Sequence, residues 1–168
     1  MNLIIRKAKT SDLSRLTEIY NQAIESGYCT CDTEKCTTAT RKTWLEAHYD
    51  SAYPIFVFIK DNFIVGYAYF SPYRSGRKAV SNVAEISYYI DFSFHGLGIG
   101  TQIINFMLKQ AKNLGYSSLL AILLSCNHNS IKLLEKKNFT QCGRLPGIAQ
   151  IKGIAYDHLY YIKNLNIK

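Results

Sequence analysis

Apolar and polar positions along the chain alternate between two periods, and the switches mark the elements. Leu3–Ala8 is a short apolar run that reads as a strand. Leu13, Leu16, Ile19, Tyr20 and Ile24 recur at helical spacing, with Thr10 and Ser11 as N-cap candidates and Gly27 placed to end the helix. Residues 26–40 are polar, rich in Thr and Cys and without a period, so they read as a loop; a short helix is predicted over 41–49. Ile55–Ile59 and Phe63–Phe70 read as strands joined by a tight Asp61-Asn62 turn. Residues 71–81 hold Pro72, Gly76, Arg74, Arg77 and Lys78 and read as a surface loop.

The second half is more apolar. Val83–Ile90 is an aromatic and aliphatic run, predicted to be a buried strand. Ile99, Ile103, Phe106, Met107, Gln110 and Leu114 then recur at helical spacing. Ser118–Leu124 is a further strand. Asn127 is placed to cap a helix carrying Ile131 and Leu134, and Phe139–Leu145 and Ala155–Ile162 read as two final strands. The order predicts one α/β domain over residues 1–168, with a mixed central sheet of about seven strands flanked by about four helices.

Composition adds little to this and removes several function classes. The chain has 168 residues, 48% hydrophobic and 19% charged, which is ordinary for a packed domain. Its formal charge of +8 suits an anionic ligand. Basic residues cluster only at Arg74, Arg77, Lys78 and at Lys136-Lys137, too thin for a nucleic-acid surface. No signal-peptide core and no membrane span is visible, so a cytoplasmic protein with neither nucleic acid nor membrane as partner is expected. Cys29, Cys31, Cys36, Cys126 and Cys142 are expected to be reduced thiols. Cys29, Cys31 and Cys36 with His48 could be read as a zinc set, but paired C-x-x-C units are missing and no metal is expected.

The stretch that carries chemistry is His95-Gly96-Leu97-Gly98-Ile99-Gly100, between the buried strand and the long helix. Glycines let backbone N–H groups approach a bulky anion, and a helix N-terminus adds unpaired donors and a positive dipole end. Together they predict a phosphate site. It is not a P-loop, because Thr101 follows Gly100 with no lysine. Nor is it a dinucleotide turn: the glycines are spaced G-x-G-x-G, and the next strand ends in Ser125-Cys126-Asn127 without an acid.

This loop resembles the Q/R-x-x-G-x-G/A pyrophosphate loop of the GNAT N-acetyltransferases, with His95 at the Gln/Arg position and Gly98 and Gly100 at the small-residue positions. Asn127, Ser130 and Phe139 match the later N-x-x-A/S-x-x-x-Y-x-x-x-G-F block; Leu134 and Asn138 depart from it. Ile19–Ala23, Asp32–Glu34, Tyr53-Pro54, Val65–Ala68, Ser71–Arg74 and Val83–Glu85 are similar to the phosphinothricin and methionine sulfone acetyltransferase group. The resemblance implies a GNAT fold, acetyl-CoA as co-substrate, a small-molecule amine as acceptor and a homodimer.

It also implies roles. His95, Gly96, Gly98, Ile99, Gly100 and Thr101 would hold the pyrophosphate, and Tyr88, Tyr89 and Ile90 would line the pantetheine arm through their backbone. The same side chains read as plain core packing. Asn127 and Ser130 would add cofactor contacts, although Asn127 also reads simply as a helix cap. Strand alternation puts Glu85 on one face with Val83, Ser87 and Tyr89, opposite Ile86, Tyr88 and Ile90. Read alone, Glu85 fits a solvent-facing charge; by resemblance it is the general base. Arg74 would hold an acceptor carboxylate from a loop expected to reach the C-terminal end of the buried strand, with Tyr73 and Cys31 beside the acceptor. Leu134 stands where many GNAT enzymes carry a tyrosine that protonates the leaving thiolate, which leucine cannot do. Asn138 replaces a glycine but tolerates a left-handed turn. Two other readings remain: a non-catalytic acyl-CoA sensor, and a protein N-terminal acetyltransferase.

Overall fold

A computed structural model describes residues 2–49 and 51–165. Seven strands form one sheet: β1 (Ile4–Lys7), β2 (Ile55–Lys60), β3 (Phe63–Pro72), β4 (Val83–Ile90), β5 (Ser118–Leu124), β6 (Thr140–Ile151) and β7 (Ile154–Asn164). Four α-helices flank it: α1 (Leu13–Ser26), α2 (Thr38–Glu46), α3 (Ile99–Asn113) and α4 (His128–Lys136). The strand order is β1-β2-β3-β4-β5-β7-β6, and every neighbouring pair is antiparallel except β4–β5.

Both faces are covered, by different means. On one face Ala84 and Ile86 of β4 and Leu119 and Ala121 of β5 pack against Ile99, Ile103, Ile104 and Met107 of α3. Each buried Ile, Leu or Met side chain there contributes roughly 1.5–3 kcal/mol by leaving water. On the other face Leu16 and Ile19 of α1 and Leu45 of α2 pack on Ile55, Val57 and Tyr67. Here Arg41 is buried; its guanidinium lies 3.6 Å from the Trp44 ring and donates to the Tyr67 hydroxyl at 2.9 Å. Stacking on aromatic faces offsets part of the cost of burying that charge.

The periodic elements fall where the pattern puts them, and the differences have local causes. Thr10 and Ser11 do not cap α1: Thr10–Asp12 is a 3-10 turn, and Asp12 is drawn inward by a two-pronged pair with Arg6 at 2.6 and 2.8 Å. Helix α2 starts at Thr38 instead of residue 41, because Thr37 caps it by accepting from the Thr40 N–H at 3.2 Å. It ends at Glu46, before the predicted residue 49. Strands β6 and β7 extend to a Lys152-Gly153 turn with φ of 50° and 79°. Register shifts between Gln141 and Gly143 and between Leu145 and Ala149 interrupt the alternation that would have revealed β6. Asp61 and Asn62, with φ of 49° and 66°, make the tight β2–β3 turn, and Asn138 takes the left-handed conformation at 59°.

The feature that positions the site is a split between β4 and β5. Their parallel pairing consists of Val83 with Ser118, Ala84 with Leu119 and Glu85 with Leu120. Past Glu85 the two strands part, while β4 stays paired to β3 as far as Ile90. The β4 backbone from Ile86 onward therefore offers one edge with no strand beside it.

Candidate active site

The split opens into a cleft of about 360 Å³ that passes through the sheet. Tyr88, Leu133 and Leu134 line it on the α3–α4 side; Ala23, Cys29 and Ser87 line it on the α1 side. The glycine loop closes its C-terminal end.

That loop leaves open space beside its backbone. Gly96 and Gly98 have φ of 77° and 76°, a conformation that a side chain strains, and the space where their Cβ atoms would stand is open. Gly98 immediately precedes α3, so the helix's first free N–H groups face the same space. Gly100 is a different case. A Cβ there would lie 2.9 Å from Leu133 Cδ2 and 3.4 Å from Ile90 Cδ1. Its small size lets the start of α3 approach α4, so packing alone accounts for it.

His95 is exposed and turned back on the strand: Nε2 donates to the Ile90 carbonyl at 3.0 Å, and the ring lies 4.5 Å from Phe92. Ile99 is buried in the core, and Thr101 is half-buried in the first turn of α3 and lines the cleft. Asp91 holds the turn between β4 and the loop. Burial alone would raise its carboxyl, but hydrogen bonds from the Ser93 N–H (2.8 Å), Arg15 and Gln22 (3.2 Å) bring it below the ordinary value. Arg15 and Gln22 belong to α1, so this acid ties α1 to the end of β4.

Along β4 the side chains divide between the faces. Tyr88 points to the α4 side, where its hydroxyl is hydrogen-bonded to Ser130 and pushed up to about 12, mainly by burial. Ser130 N–H in turn donates to the Asn127 side chain at 3.2 Å, the cap of α4. Ile90 also packs on the α3–α4 core. Tyr89 points the other way, 4.9 Å from Tyr20 and 5.3 Å from Tyr67. Its side chain is packing, and only its neighbourhood in the strand brings it to the cleft. Leu134 is 1% exposed and lines the cleft, so no hydroxyl stands at that place on α4.

Glu85 occupies the last rung of the β4–β5 pairing, opposite Leu120, at the point where the strands part. Burial raises its carboxyl, and among the described residues no hydrogen bond or ion pair holds it. Tyr69, on the neighbouring strand and paired with Ser87, lies within its electrostatic reach. A half-buried, unpaired carboxylate beside an opening is suited to accept a proton.

The structure corrects the placement of the acceptor residues. Tyr73 and Arg74 are exposed in the β3–β4 loop, and the Tyr73 N–H donates to the Val83 carbonyl at 3.4 Å. Pro72 pairs with Ala84. That loop therefore flanks the N-terminal end of β4, near Glu85, and not the C-terminal end expected from sequence. The reason is the antiparallel β3–β4 pairing, which returns the chain to the start of β4. Cys31 is exposed and lies with its Sγ 3.7 Å from His158 Nε2 on β7; Cys29 lines the cleft in its place. Cys36 is separate from both, with its backbone N–H and carbonyl each bonded to Asn21 at 2.9 Å. Among the described residues no three His, Cys, Asp or Glu side chains converge to hold a metal ion.

Tyr28, Phe92, Phe94 and Leu133 line the cleft without having been singled out in the sequence, and Cys29, noted there only as part of a possible zinc set, lines it too. Phe92 and Phe94, aromatic residues next to a glycine loop, carried a usable signal. Tyr28 and Cys29 follow Gly27 in a stretch with no period and carried none.

Comparison with known proteins adds an independent line. A family profile described as the acetyltransferase (GNAT) family matches residues 13–139. YwnH of Bacillus subtilis (strain 168) is 36% identical over 156 residues, covering 92% of this chain and 94% of that protein. The L-methionine sulfoximine/L-methionine sulfone acetyltransferase of Salmonella typhimurium is 28% identical over 146 residues, covering 87% and 85%. The crystal structure of a phosphinothricin acetyltransferase from Sinorhizobium meliloti in complex with AcCoA superposes with a TM-score of 0.92 at 25% identity, covering 98% of this chain and 89% of that one. Among the described residues no helix is long and apolar enough to cross a membrane.

Proposed function

The chain belongs to the acetyltransferase (GNAT) family, and from that premise we propose that it moves an acetyl group from acetyl-CoA to the primary amine of a small amino-acid analogue, of the methionine sulfone or phosphinothricin type. The observation that carries the proposal is the position of Glu85. It is the last paired residue before β4 and β5 part, on a strand whose next residues line a cleft ending in Gly96 and Gly98.

The residues suit acetyl-CoA. The open space at Gly96 and Gly98, followed by the α3 N-terminus, fits the pyrophosphate, with Thr101 beside it. The free β4 edge from Ile86 to Ile90 offers main-chain groups to an amide-containing arm, and Asn127 and Ser130 lie across from it on α4. Bound there, acetyl-CoA supplies an acetyl group activated as a thioester.

The remaining work falls to this chain. Glu85 takes the proton that the acceptor's ammonium must lose, and its raised pKa brings it nearer neutrality for that task. Backbone N–H groups along the free β4 edge are the donors available to a polarised carbonyl oxygen. Leu134 donates no proton, so the thiolate leaves unassisted at that position; a thiol with a pKa of about 8.5 is a tolerable leaving group. Arg74, at the Glu85 end of β4, is free of any ion pair among the described residues and suits an acceptor carboxylate.

We further infer a cytoplasmic homodimer. Leu145, Ile148 and Ile154 are exposed along the β6–β7 hairpin, whose outer strand has a free edge. The test of function is thiol release from acetyl-CoA across a panel of amines, run beside calorimetric titration with acetyl-CoA. Turnover with methionine sulfone above that with alkylamines is expected. Binding without turnover on any amine would make the protein an acyl-CoA sensor.

A further inference from the structure

The acetyl-transfer reading gives the Tyr88 hydroxyl no task, although Tyr88 lines the cleft. Side chains alternate along β4, so Tyr88 stands on the α3–α4 face with Ala84 and Ile86, opposite Glu85 and Ser87. Its ring packs against that core. Its hydroxyl is hydrogen-bonded to the Ser130 hydroxyl on α4, and Ser130 lines the cleft as well. Ser130 is itself fixed, because its N–H donates to the Asn127 side chain at 3.2 Å where α4 begins. Leu134 lies one turn further along the same face of α4 and brings no hydroxyl to the cleft.

Two hydroxyls can share a hydrogen bond in either direction. With Ser130 donating to the Tyr88 oxygen, the phenolic O–H is left for a second partner. Burial keeps that phenol protonated, at about 12, so it serves as a donor and holds its own proton. The two faces of the split divide the reaction. Glu85 faces the α1 side, so the amine comes from there. The glycine loop opens α3, so the arm of acetyl-CoA enters from the α3–α4 side, and its sulfur departs toward that side. Tyr88 is three residues past Glu85, roughly 10 Å along the strand and on the opposite face. Ile86, Leu133 and Leu134 make the cleft wall around it apolar, which strengthens a hydrogen bond to a charge formed there.

We propose that Tyr88, held by Ser130, donates a hydrogen bond to the sulfur that departs when the acetyl group is transferred. The bond between the carbonyl carbon and the sulfur breaks, and its electron pair goes to the sulfur. The new bond joins the same carbon to the acceptor nitrogen. Tyr88 keeps its proton throughout. The ammonium sheds two protons in all; one is made good on the free thiol through solvent, and the other stays in solvent. Tyr88 is then a catalytic residue that stabilises the leaving group, and Ser130 is its positioning residue. The proposal rests on the acetyl-CoA reading of the cleft.

The experiment titrates CoA and acetyl-CoA separately into the full-length protein by calorimetry, with a phosphine reductant, at pH 7 and pH 9. Only CoA has a sulfur that ionises, with a thiol pKa of about 8.5, so the ratio of the two affinities isolates the sulfur from every other titrating group. A donor at the sulfur favours the thiolate and lowers the pKa of the bound thiol. For a drop of about one unit, the CoA-to-acetyl-CoA ratio rises about fivefold from pH 7 to pH 9 in the wild type. In Tyr88→Phe the ratio is expected to stay flat and acetyl-CoA affinity to stay within about twofold of wild type, while kcat falls by about 10- to 100-fold. Ser130→Ala should lose part of the rise, and a full rise there would overturn the part given to Ser130. A flat ratio in the wild type, a rise kept in Tyr88→Phe, or an unchanged kcat in that variant would overturn the role of Tyr88. So would equal losses of both affinities in Tyr88→Phe, which would put the hydroxyl on the arm and not on the sulfur. Each of these leaves the acetyl-CoA reading standing; binding of neither ligand to the wild type would refute that reading and the proposal with it.

Discussion

The two ends of β4 are built from different materials. At its C-terminal end, Gly96, Gly98 and the start of α3 present backbone: open space, left-handed turns and unpaired N–H groups. At its N-terminal end, Glu85, Tyr69 and the Arg74 loop present side chains. A backbone site depends on conformation that only a few residue types allow, so it constrains the sequence tightly. A side-chain site depends on which strands are neighbours, and a glutamate in a strand looks the same whether it faces water or a substrate. The comparison predicts that the two ends can be damaged separately.

The largest separation is expected from Glu85→Gln, which keeps the shape and removes the proposed base. Its kcat near neutral pH should fall by about 10²–10⁴. In the wild type, kcat/KM should fall as pH falls through the raised Glu85 pKa, since the base works only when ionised. A steady-state pH series on both proteins checks this, and wild-type turnover in the variant would pass the proton to another group.

Gly98→Val attacks the other end. A β-branched residue forced to φ near 76° carries about 1–3 kcal/mol of strain and places methyl groups in the open space proposed for the anion. Acetyl-CoA affinity should fall by at least about tenfold, at 1.4 kcal/mol per decade, with the fold kept by circular dichroism. Gly100→Val should instead lower thermal stability, because its branches meet Leu133 and Ile90. Affinity lost equally in both with no change in melting temperature would erase the distinction between the two glycines.

Arg74→Ala should act on the acceptor alone. Loss of a charged hydrogen bond, about 1.5–3 kcal/mol, raises KM for methionine sulfone by roughly 10- to 100-fold. An alkylamine without a carboxylate should be little affected. Equal losses on both amines would remove Arg74 from carboxylate binding.

The smallest effect lies between the two ends, at Asp91. Its folded pKa is depressed, so its contribution to stability is present above the unfolded value of about 4 and lost as pH falls through the lower folded value. Asp91→Asn should lower stability by about 1–3 kcal/mol at pH 7 and flatten the acid side of the stability curve. Denaturant titrations at pH 7 and pH 3 test it; an unchanged acid limb would leave Asp91 without this role.

What the sequence revealed follows the same division. Ile99, Ile103 and Met107 repeat because α3 buries one face, and Val83–Ile90 is apolar because it is buried. Those periods marked the fold, and Gly96 and Gly98 marked the end proposed for the cofactor. The Arg74 loop was assigned to the wrong end of β4 because chain order does not say which way β3 returns. Cys31 was named where Cys29 lines the cleft, since residues 26–40 have no period to show which side chain turns inward. Asp91, bonded to Arg15 and Gln22 about seventy residues earlier, left no local signal at all.

If the cofactor site is made from backbone and the proton acceptor is Glu85, one variant separates the two. The most direct test titrates acetyl-CoA into Glu85→Gln by calorimetry, on the same preparation whose turnover has been measured. The expected affinity is within about twofold of wild type, less than about 0.5 kcal/mol, beside turnover reduced at least about a hundredfold. Affinity and turnover lost together, or turnover kept, would contradict it.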